Sequence, residues 1–296
     1  MEEMALLIFS LTVQAAIGII VFVAIAQLLN DNGTFKLPVA TAGGLAALGL
    51  LASLLHLGHP LRALNSLMHF ATSWLSREIW FTALFAGFAI IAALLILFKP
   101  EAKQAIKAVI ALAAVFGLID VYMMASVYYS SSVPAWHYSA TYIEFYTTTI
   151  AMGAVLFLLL GRNEAAGRAK FAVALAGLAI GVQITAMMIY YLELGSSSSL
   201  AAQQSLTIVG DMSLALTVRW ILILAGIGML LFSVKGSTGV VSLGNKAVSE
   251  AAAAAEKPLA ISALPLPLAA GVLLIGLVIG RYMFYAVMII SRVGLN

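Results

Sequence analysis

Long apolar runs separated by short polar connections fill the chain from end to end. Eight of these runs reach the roughly 20 residues that a helix needs to cross the hydrocarbon core of a bilayer. They cover residues 4–29, 38–58, 77–98, 104–128, 140–161, 170–193, 213–234 and 260–288. Runs this long and uniform do not fit the short alternating strands of a membrane barrel. The pattern therefore predicts an all-α integral membrane protein, with one domain over residues 1–296 folded as an eight-helix transmembrane bundle.

The connections between the runs carry turn residues, and only two of them are long. The first contains the serine run Ser196–Ser199. The second covers residues 235–257, whose alanine-rich part predicts a short interfacial helix. At the N-terminus, two glutamates precede a full-length span, whereas a cleaved signal peptide has a basic start and a small-residue cleavage site. The first helix is therefore expected to be retained.

Basic residues are concentrated in alternate connections, and cytoplasmic loops are enriched in Lys and Arg. The connections after spans three, five and seven contain Lys99, Lys103, Lys107, Arg162, Arg168, Lys170, Lys235, Lys246 and Lys257. The connections after spans four and six contain none, although the one after span two departs from this pattern with Arg62 and Arg77. The distribution predicts that both termini lie on the outer, periplasmic side of a bacterial inner membrane.

The composition agrees with a chain whose main solvent is lipid, because 63% of its residues are hydrophobic and only 9% are charged. Soluble domains contain about 25% charged residues. The absence of cysteine excludes disulfides, thiol catalysis and thiolate ligation of iron–sulfur clusters by this protein. The net charge of +3 is spread over short loops, so the sequence carries no footprint for nucleic acid.

The ionisable residues of the spans all fall in the predicted outer half of the membrane. They are His56, Glu78, Asp120, Glu144, Glu193, Arg219 and Arg281. An ionisable group in a membrane costs a few kcal/mol and marks a functional site or an ion pair. Both interpretations stay open: Asp120 with Arg219 or Arg281 would form structural ion pairs, and Glu144 and Glu193 would then be hydrated helix ends. Aromatic residues, Tyr122 among them, gather at the same end, either as an interfacial belt or as the wall of a cleft for a flat ligand.

Three of the four histidines lie in the segment 54–80, which ends just beyond Glu78. A bis-histidine haem needs facing histidines inside the membrane, and no span has one near its middle. A metal site from His56, His59 and Glu78 has no diagnostic spacing. Oxidation of a quinol needs proton acceptors that work near neutrality, as histidine does, and His56 and Glu78 occupy adjacent helix ends. Helix capping is the structural alternative for His56.

The same segment carries a family motif. The order "LLHLGHPLRALNSL" followed by "SREI" resembles the membrane anchor subunit of the dimethyl sulfoxide reductase family, whose pattern is His-Leu-Gly-x-Pro-x-Arg-Ala-x-Asn-Ser-Leu and then Ser-x-Glu-Ile. The exit of span four, "VYMMASVYYSSSVPAW", Arg219 in span seven and "IGRYMFY" in span eight are also similar to the family. The likeness covers essentially the whole sequence; the first motif is specific and the others are weak alone.

The resemblance implies a membrane anchor without haem or metal that binds menaquinol and oxidises it to menaquinone in anaerobic respiration. Its outer loops would dock a four-cluster iron–sulfur subunit, which feeds a molybdopterin catalytic subunit where the terminal reduction takes place. In the family, the His and Glu of the motif are implicated in quinol oxidation, and they match His56 and Glu78. We expect these two to be catalytic, Arg62, Tyr122 and Arg281 to bind quinol with them, and Asp120 and Arg219 to be structural or pocket charges.

Two positions depart from the family pattern. Family members carry an Arg in span four where Ser126 stands and a Glu in span eight near Leu277, whereas this chain has Asp120 in span four. The proton route is therefore left open. A purely structural anchor is the main alternative function. A proton or small-solute transporter is the weaker one, because the spans lack paired broken helices and a polar path from face to face.

Overall fold

The computed structural model of the protein describes residues 2–29, 33–56, 67–235 and 265–288. Eight helices in this part of the chain are long and apolar enough to cross a membrane. In sequence order, with one shorter helix α7 between the sixth and seventh spans, the helices are α1 (Glu2–Leu28), α2 (Lys36–His56), α3 (Trp74–Phe98), α4 (Lys103–Tyr129), α5 (Ala140–Ala165), α6 (Ala169–Ser196), α7 (Leu200–Asp211), α8 (Ser213–Lys235) and α9 (Pro265–Ala286). The prediction of an all-α protein with eight candidate spans is confirmed.

The predicted bounds agree with the described helix ends to within five residues. At α9 the described helix covers Pro265–Ala286, and the predicted start at residue 260 lies outside the described residues. In α5 the backbone is non-helical at Arg162 (φ 40°, ψ −113°), so regular helix stops where the predicted span ends. The short helix expected before Pro258 lies outside the described residues.

Helix α7 was not predicted, because the serines before it indicated only a connection. Ser199 instead caps α7: its hydroxyl accepts a hydrogen bond from the Ala202 amide at 3.5 Å. Within the helix, the Ser205 hydroxyl donates to the Val287 carbonyl at 2.9 Å. Since α7 has 12 residues, it is too short to span and ties the connection between α6 and α8 to the end of α9.

Helices α1 and α5 cross at the centre of the bundle through two glycines. A Cβ atom on Gly18 would lie 2.3 Å from the Thr149 carbonyl oxygen and 2.6 Å from Cα of Gly153. Small residues at such a crossing let two backbones approach closely, which is how membrane helices gain packing energy without a hydrophobic driving force. Around this crossing, α2 packs on α1 and α3, α4 on α3, α6 on α5, and α9 on α8 and α5.

The two ends of the bundle are called the N-terminal face, where α1 begins, and the opposite face, where α1 ends. At the opposite face, the Glu164 carboxylate accepts hydrogen bonds from the Phe35 amide and, at 3.2 Å, from the Thr34 hydroxyl. Arg168 donates to the Leu29 carbonyl at 2.7 Å. At the N-terminal face, the Trp136 indole donates to the Phe284 carbonyl at 3.0 Å. Both faces are thus held by contacts between distant parts of the sequence.

Candidate functional site

The N-terminal face contains the predicted catalytic carboxyl, Glu78, near the start of α3. Ser73 caps this helix by accepting from the Ser76 amide at 3.3 Å, which fixes its first turn. Glu78 follows in the next turn, is only 6% exposed, and has no hydrogen-bond partner within the described part of the chain. A buried carboxyl without a partner is costly, so its position calls for a functional explanation.

His56 and Arg62 were predicted to bind the quinol together with Glu78. Helix α2 ends at His56 and packs against α3, which begins at Trp74. This places the backbone of His56 at the same end of the bundle as Glu78. The side chain of His56 and the whole of Arg62 lie outside the described residues, so their contacts with a quinol stay a prediction.

Asp120 on α4 lies beside Glu78. It is fully buried, and its carboxylate oxygens accept from the Thr82 hydroxyl at 2.9 and 3.1 Å. Thr82 is four residues after Glu78, hence on the same side of α3. Glu78 and Asp120 are close enough to interact electrostatically. Glu78, Thr82 and Asp120 are called the carboxyl cluster below.

Arg281 on α9 is buried and is held by an amide and an aromatic ring. Its Nη2 donates to Oε1 of Gln14 at 2.8 Å, and Nε2 of Gln14 donates to the Phe145 carbonyl at 3.2 Å. Its guanidinium lies 3.8 Å from the centre of the Phe145 ring, a cation–π contact. Nε and Nη1 have no partner among the described residues, so Arg281 keeps unused donors inside the bundle.

Two buried tyrosines lie near Glu78 and Arg281. The hydroxyls of Tyr128 and Tyr285 are 3.1 Å apart and hydrogen-bonded. Both tyrosines are near enough to Glu78 and to Arg281 for electrostatic interaction. Their burial separates them from an interfacial aromatic belt, whereas Tyr122, 42% exposed, fits such a belt.

Glu144 and Arg219 form a buried ion pair in a second group at this face. Oε1 of Glu144 is 2.8 Å from Nη2 of Arg219, and both side chains are 3–4% exposed. A cavity of about 30 Å³, lined also by Tyr190 and Tyr191, adjoins the pair and is large enough for a water molecule. The expectation that Glu144 is a hydrated helix end is therefore wrong. Glu144 lies one turn inside α5, where it is buried and paired with Arg219 of α8. Glu193, by contrast, is exposed at the end of α6.

The alternative pairing of Asp120 with Arg219 or Arg281 is also wrong. Asp120 bonds to Thr82, Arg219 to Glu144 and Arg281 to Gln14. Which residues meet depends on the rotation of each helix about its own axis. The order of charges along the sequence does not determine this rotation. The sequence analysis did not identify Gln14 and Thr82 as partners of the buried charges, although each is a polar residue in an apolar run. The spacing of Thr82, four residues after Glu78, indicates that both lie on the same side of one helix.

Within the described residues, Tyr122 makes no hydrogen bond or ring contact with the carboxyl cluster or Arg281. Its ring stacks on Tyr142 with the centroids 5.2 Å apart and meets the edge of Trp74 at 6.1 Å. The Tyr142 hydroxyl is 3.2 Å from that of Ser126, the position where the family pattern has an arginine. Tyr122 therefore lies on the lipid-facing side of the site, and a role in quinol binding requires entry from that side.

No three His, Cys, Asp or Glu side chains converge as a metal site within the described residues. The combination of His56, His59 and Glu78 involves side chains outside that part of the protein, and it stays untested.

Comparison with known proteins relates the sequence to one family. Residues 1–256 match the family described as DMSO reductase anchor subunit (DmsC). The C subunit of anaerobic dimethyl sulfoxide reductase from Haemophilus influenzae is 30% identical over 242 residues, which cover 79% of this protein and 85% of the relative. The corresponding C subunit from Escherichia coli K12 is 31% identical over 230 residues, covering 75% and 80%. The YnfH subunit of anaerobic dimethyl sulfoxide reductase from the same organism is 28% identical over 233 residues, covering 77% and 81%. No solved structure matches the protein.

Proposed function

Because the chain belongs to the family of dimethyl sulfoxide reductase anchor subunits, we propose that it binds and oxidises menaquinol in the bacterial inner membrane. The electrons pass to an iron–sulfur subunit with four clusters, and from there to a molybdopterin subunit that reduces the terminal acceptor. Both partners dock on the N-terminal face, which is the outer side of the membrane. The anchor itself supplies the quinol site and the membrane attachment.

The observation that carries the proposal is the buried Glu78 carboxyl, which has no hydrogen-bond partner among the described residues. A structural carboxylate would be expected to have a partner, as Asp120 has Thr82 and Glu144 has Arg219. A carboxyl that must accept a proton from a substrate needs unused acceptor capacity instead. Glu78 combines this capacity with a place beside the helix end that carries His56.

The reaction releases two electrons and two protons from the quinol. Glu78 accepts one proton from a quinol hydroxyl, and His56 accepts the second from the other hydroxyl or through water. Arg62 orients the loop over the head group. The Tyr128–Tyr285 hydroxyl pair and the unused donors of Arg281 stabilise the site while the carboxyl cluster changes its charge. Both protons then leave to the outer aqueous phase, and the electrons leave to the docked partner.

Glu78→Gln tests this role, because the amide keeps the size of the side chain but is not a proton acceptor. We expect menaquinol-dependent turnover of the assembled complex to fall by at least about 100-fold, the typical contribution of a general base. Turnover driven by a soluble viologen donor, which bypasses the anchor, should be unchanged. Glu193→Gln is the matched control, since Glu193 is an exposed glutamate at the same face. Normal menaquinol oxidation in Glu78→Gln would contradict the proposal.

A purely structural anchor is the alternative, and the paired polar residues favour it: Glu144 with Arg219, Asp120 with Thr82 and Arg281 with Gln14 all act as links between helices. Titration of the intact complex with a fluorescent quinone analogue separates the two functions. A quinol site predicts saturable binding that weakens in Glu78→Gln. A structural anchor predicts the same binding, or none, in both proteins.

A further inference from the structure

A second cavity lies at the opposite face, at the far end of the bundle from the candidate quinol site. Its volume is about 420 Å³, within the usual range for small-molecule sites. It is formed where the ends of α1 and α3 meet the beginnings of α2 and α4. Gln27 and Gln104 contribute amide groups to its wall. Nothing in the proposed quinol chemistry uses this cavity.

The charge of the cavity is uniformly positive. Lys36, Lys103 and Lys107 line it, and no Asp or Glu among the described residues does. Glu164 is close by but accepts from Thr34 and the Phe35 amide, and Glu101 in the preceding turn is not part of the wall. Within the described residues, no carboxylate lies within ion-pair distance of these three lysines. Three ammonium groups around one concave space repel each other unless an anion binds between them.

The backbone adds to this positive potential. Helix α2 begins at Lys36 and α4 at Lys103, so two helix N-termini meet at the cavity. Neither helix has an acidic residue in its first turn, and Ala102 cannot cap α4 with a side chain. The first amide groups of a helix favour anions, phosphate in particular. Lysines and helix ends therefore select the same kind of ligand.

The remaining wall is apolar. Ile96 and Ile106 are buried beside the cavity, and Leu97, 44% exposed, faces outward next to it. The cavity therefore has a cationic mouth where α3 leaves the membrane and an apolar side towards the hydrocarbon. A free phosphate ion would use only the first of these features, whereas a phospholipid would use both. We propose that this cavity binds the phosphate head group of an anionic phospholipid, with its acyl chains lying along α3 and α4.

The charge count favours a lipid with two phosphates over one with a single phosphate. Three lysines would leave two charges unbalanced around phosphatidylglycerol and one around cardiolipin. Basic pockets between transmembrane helices are suited to such head groups, and each nearby lysine strengthens the attraction. The expected order of affinity is therefore cardiolipin, then phosphatidylglycerol, then zwitterionic phosphatidylcholine.

Native mass spectrometry of the delipidated complex, titrated with these three lipids of matched acyl chains, tests the proposal. We expect specific binding of cardiolipin that weakens about tenfold or more in Lys36→Gln/Lys103→Gln and further when Lys107→Gln is added. Lys99→Gln/Lys170→Gln is the matched control, because both of these lysines are exposed at the same face and neither lines the cavity. It should bind cardiolipin within about twofold of wild type.

Three outcomes would overturn the proposal. Phosphatidylcholine bound as tightly as cardiolipin would show that charge does not select the ligand. An equal loss in the lining and control variants would reduce the effect to general surface charge. Inorganic phosphate that displaces cardiolipin at equal concentration would identify a free anion site without a role for the acyl chains. The thermal midpoint of each variant shows whether a loss of binding comes from loss of fold.

Discussion

Three buried polar contacts near the N-terminal face show how single residues are accommodated in this bundle. Arg219 faces a carboxylate at 2.8 Å, whereas Arg281 faces the Gln14 amide and the rings of Phe145 and Phe284. Asp120 accepts from a hydroxyl at 2.9 Å. Since a partner is expected for every buried polar group, a residue that lacks one becomes informative. Gln183 on α6 is such a residue in the described structure, and Glu78 at the candidate site is buried without a hydrogen bond to another described residue.

Gln14→Leu should destabilise the protein, because the substitution leaves Arg281 with the Phe145 ring and no acceptor. A hydrogen bond to a charged group contributes about 2 kcal/mol, so the midpoint of thermal unfolding of the purified complex should fall by about 5 °C. Gln183→Leu is the control: its amide oxygen and nitrogen are buried and have no partner among the described residues, so its midpoint should stay or rise. Equal decreases in the two variants would contradict this account of Arg281.

At this scale the sequence predicted which residues are unusual but not which residues they meet. The charges of the spans were correctly expected to gather at one end of the bundle, and the family motif singled out Glu78 without reference to geometry. The partner predicted for Asp120 was wrong and the ion pair of Glu144 was missed, because hydropathy gives the depth of a residue and not the rotation of its helix. A polar stripe along one side of a span would have indicated how that helix is rotated, but these spans are apolar on all sides.

The position of each helix along the sequence follows from the length of its apolar run and from the residues at its ends, not from an amphipathic pattern. Span bounds could be predicted to within five residues because lipid requires continuous apolar helix. Helix α7 escaped prediction because a 12-residue helix with a serine cap gives a weak hydropathy signal. The sequence also did not predict which helices pack together, because a glycine in a span indicates a close crossing only when the helix that packs against it is known. Gly18 and Gly177 are alike in sequence context, yet only Gly18 touches another backbone.

Gly18→Ala should therefore disrupt the central crossing. Its Cβ would lie 2.3 Å from the Thr149 carbonyl oxygen, and because the obstruction is backbone, α1 and α5 would have to separate. Overpacking of this kind costs about 1–3 kcal/mol or more, which should lower both the thermal midpoint and the yield of assembled complex. Gly177→Ala on α6 is the matched control, since nothing lies within 4 Å of its Cβ position and alanine favours helix. A stable Gly18→Ala protein would show that α1 and α5 are farther apart.

The molecule as a whole has two chemically distinct ends. Buried carboxyls, arginines and tyrosines occupy the N-terminal face, and the lysine-lined cavity occupies the opposite face. The distribution of basic residues between connections predicts which end faces the cytoplasm. That assignment matters for the chemistry, because it decides on which side of the membrane the protons of the quinol are released.

Labelling of single cysteines tests this orientation, and the protein has no cysteine of its own, so the unmodified form gives the blank. Met68→Cys adds a thiol at a site 83% exposed at the N-terminal face, and Glu101→Cys adds one at an exposed site of the opposite face. Because the partner subunits are proposed to dock on the N-terminal face, a membrane-impermeant maleimide is applied to spheroplasts that contain the anchor without them. It should label Met68→Cys at once and Glu101→Cys only after lysis. Both variants leave the proposed quinol residues in place, so menaquinol oxidation reports correct assembly. The reverse labelling would put Glu78 at the cytoplasmic side, and the protons of the quinol would then be released into the cytoplasm.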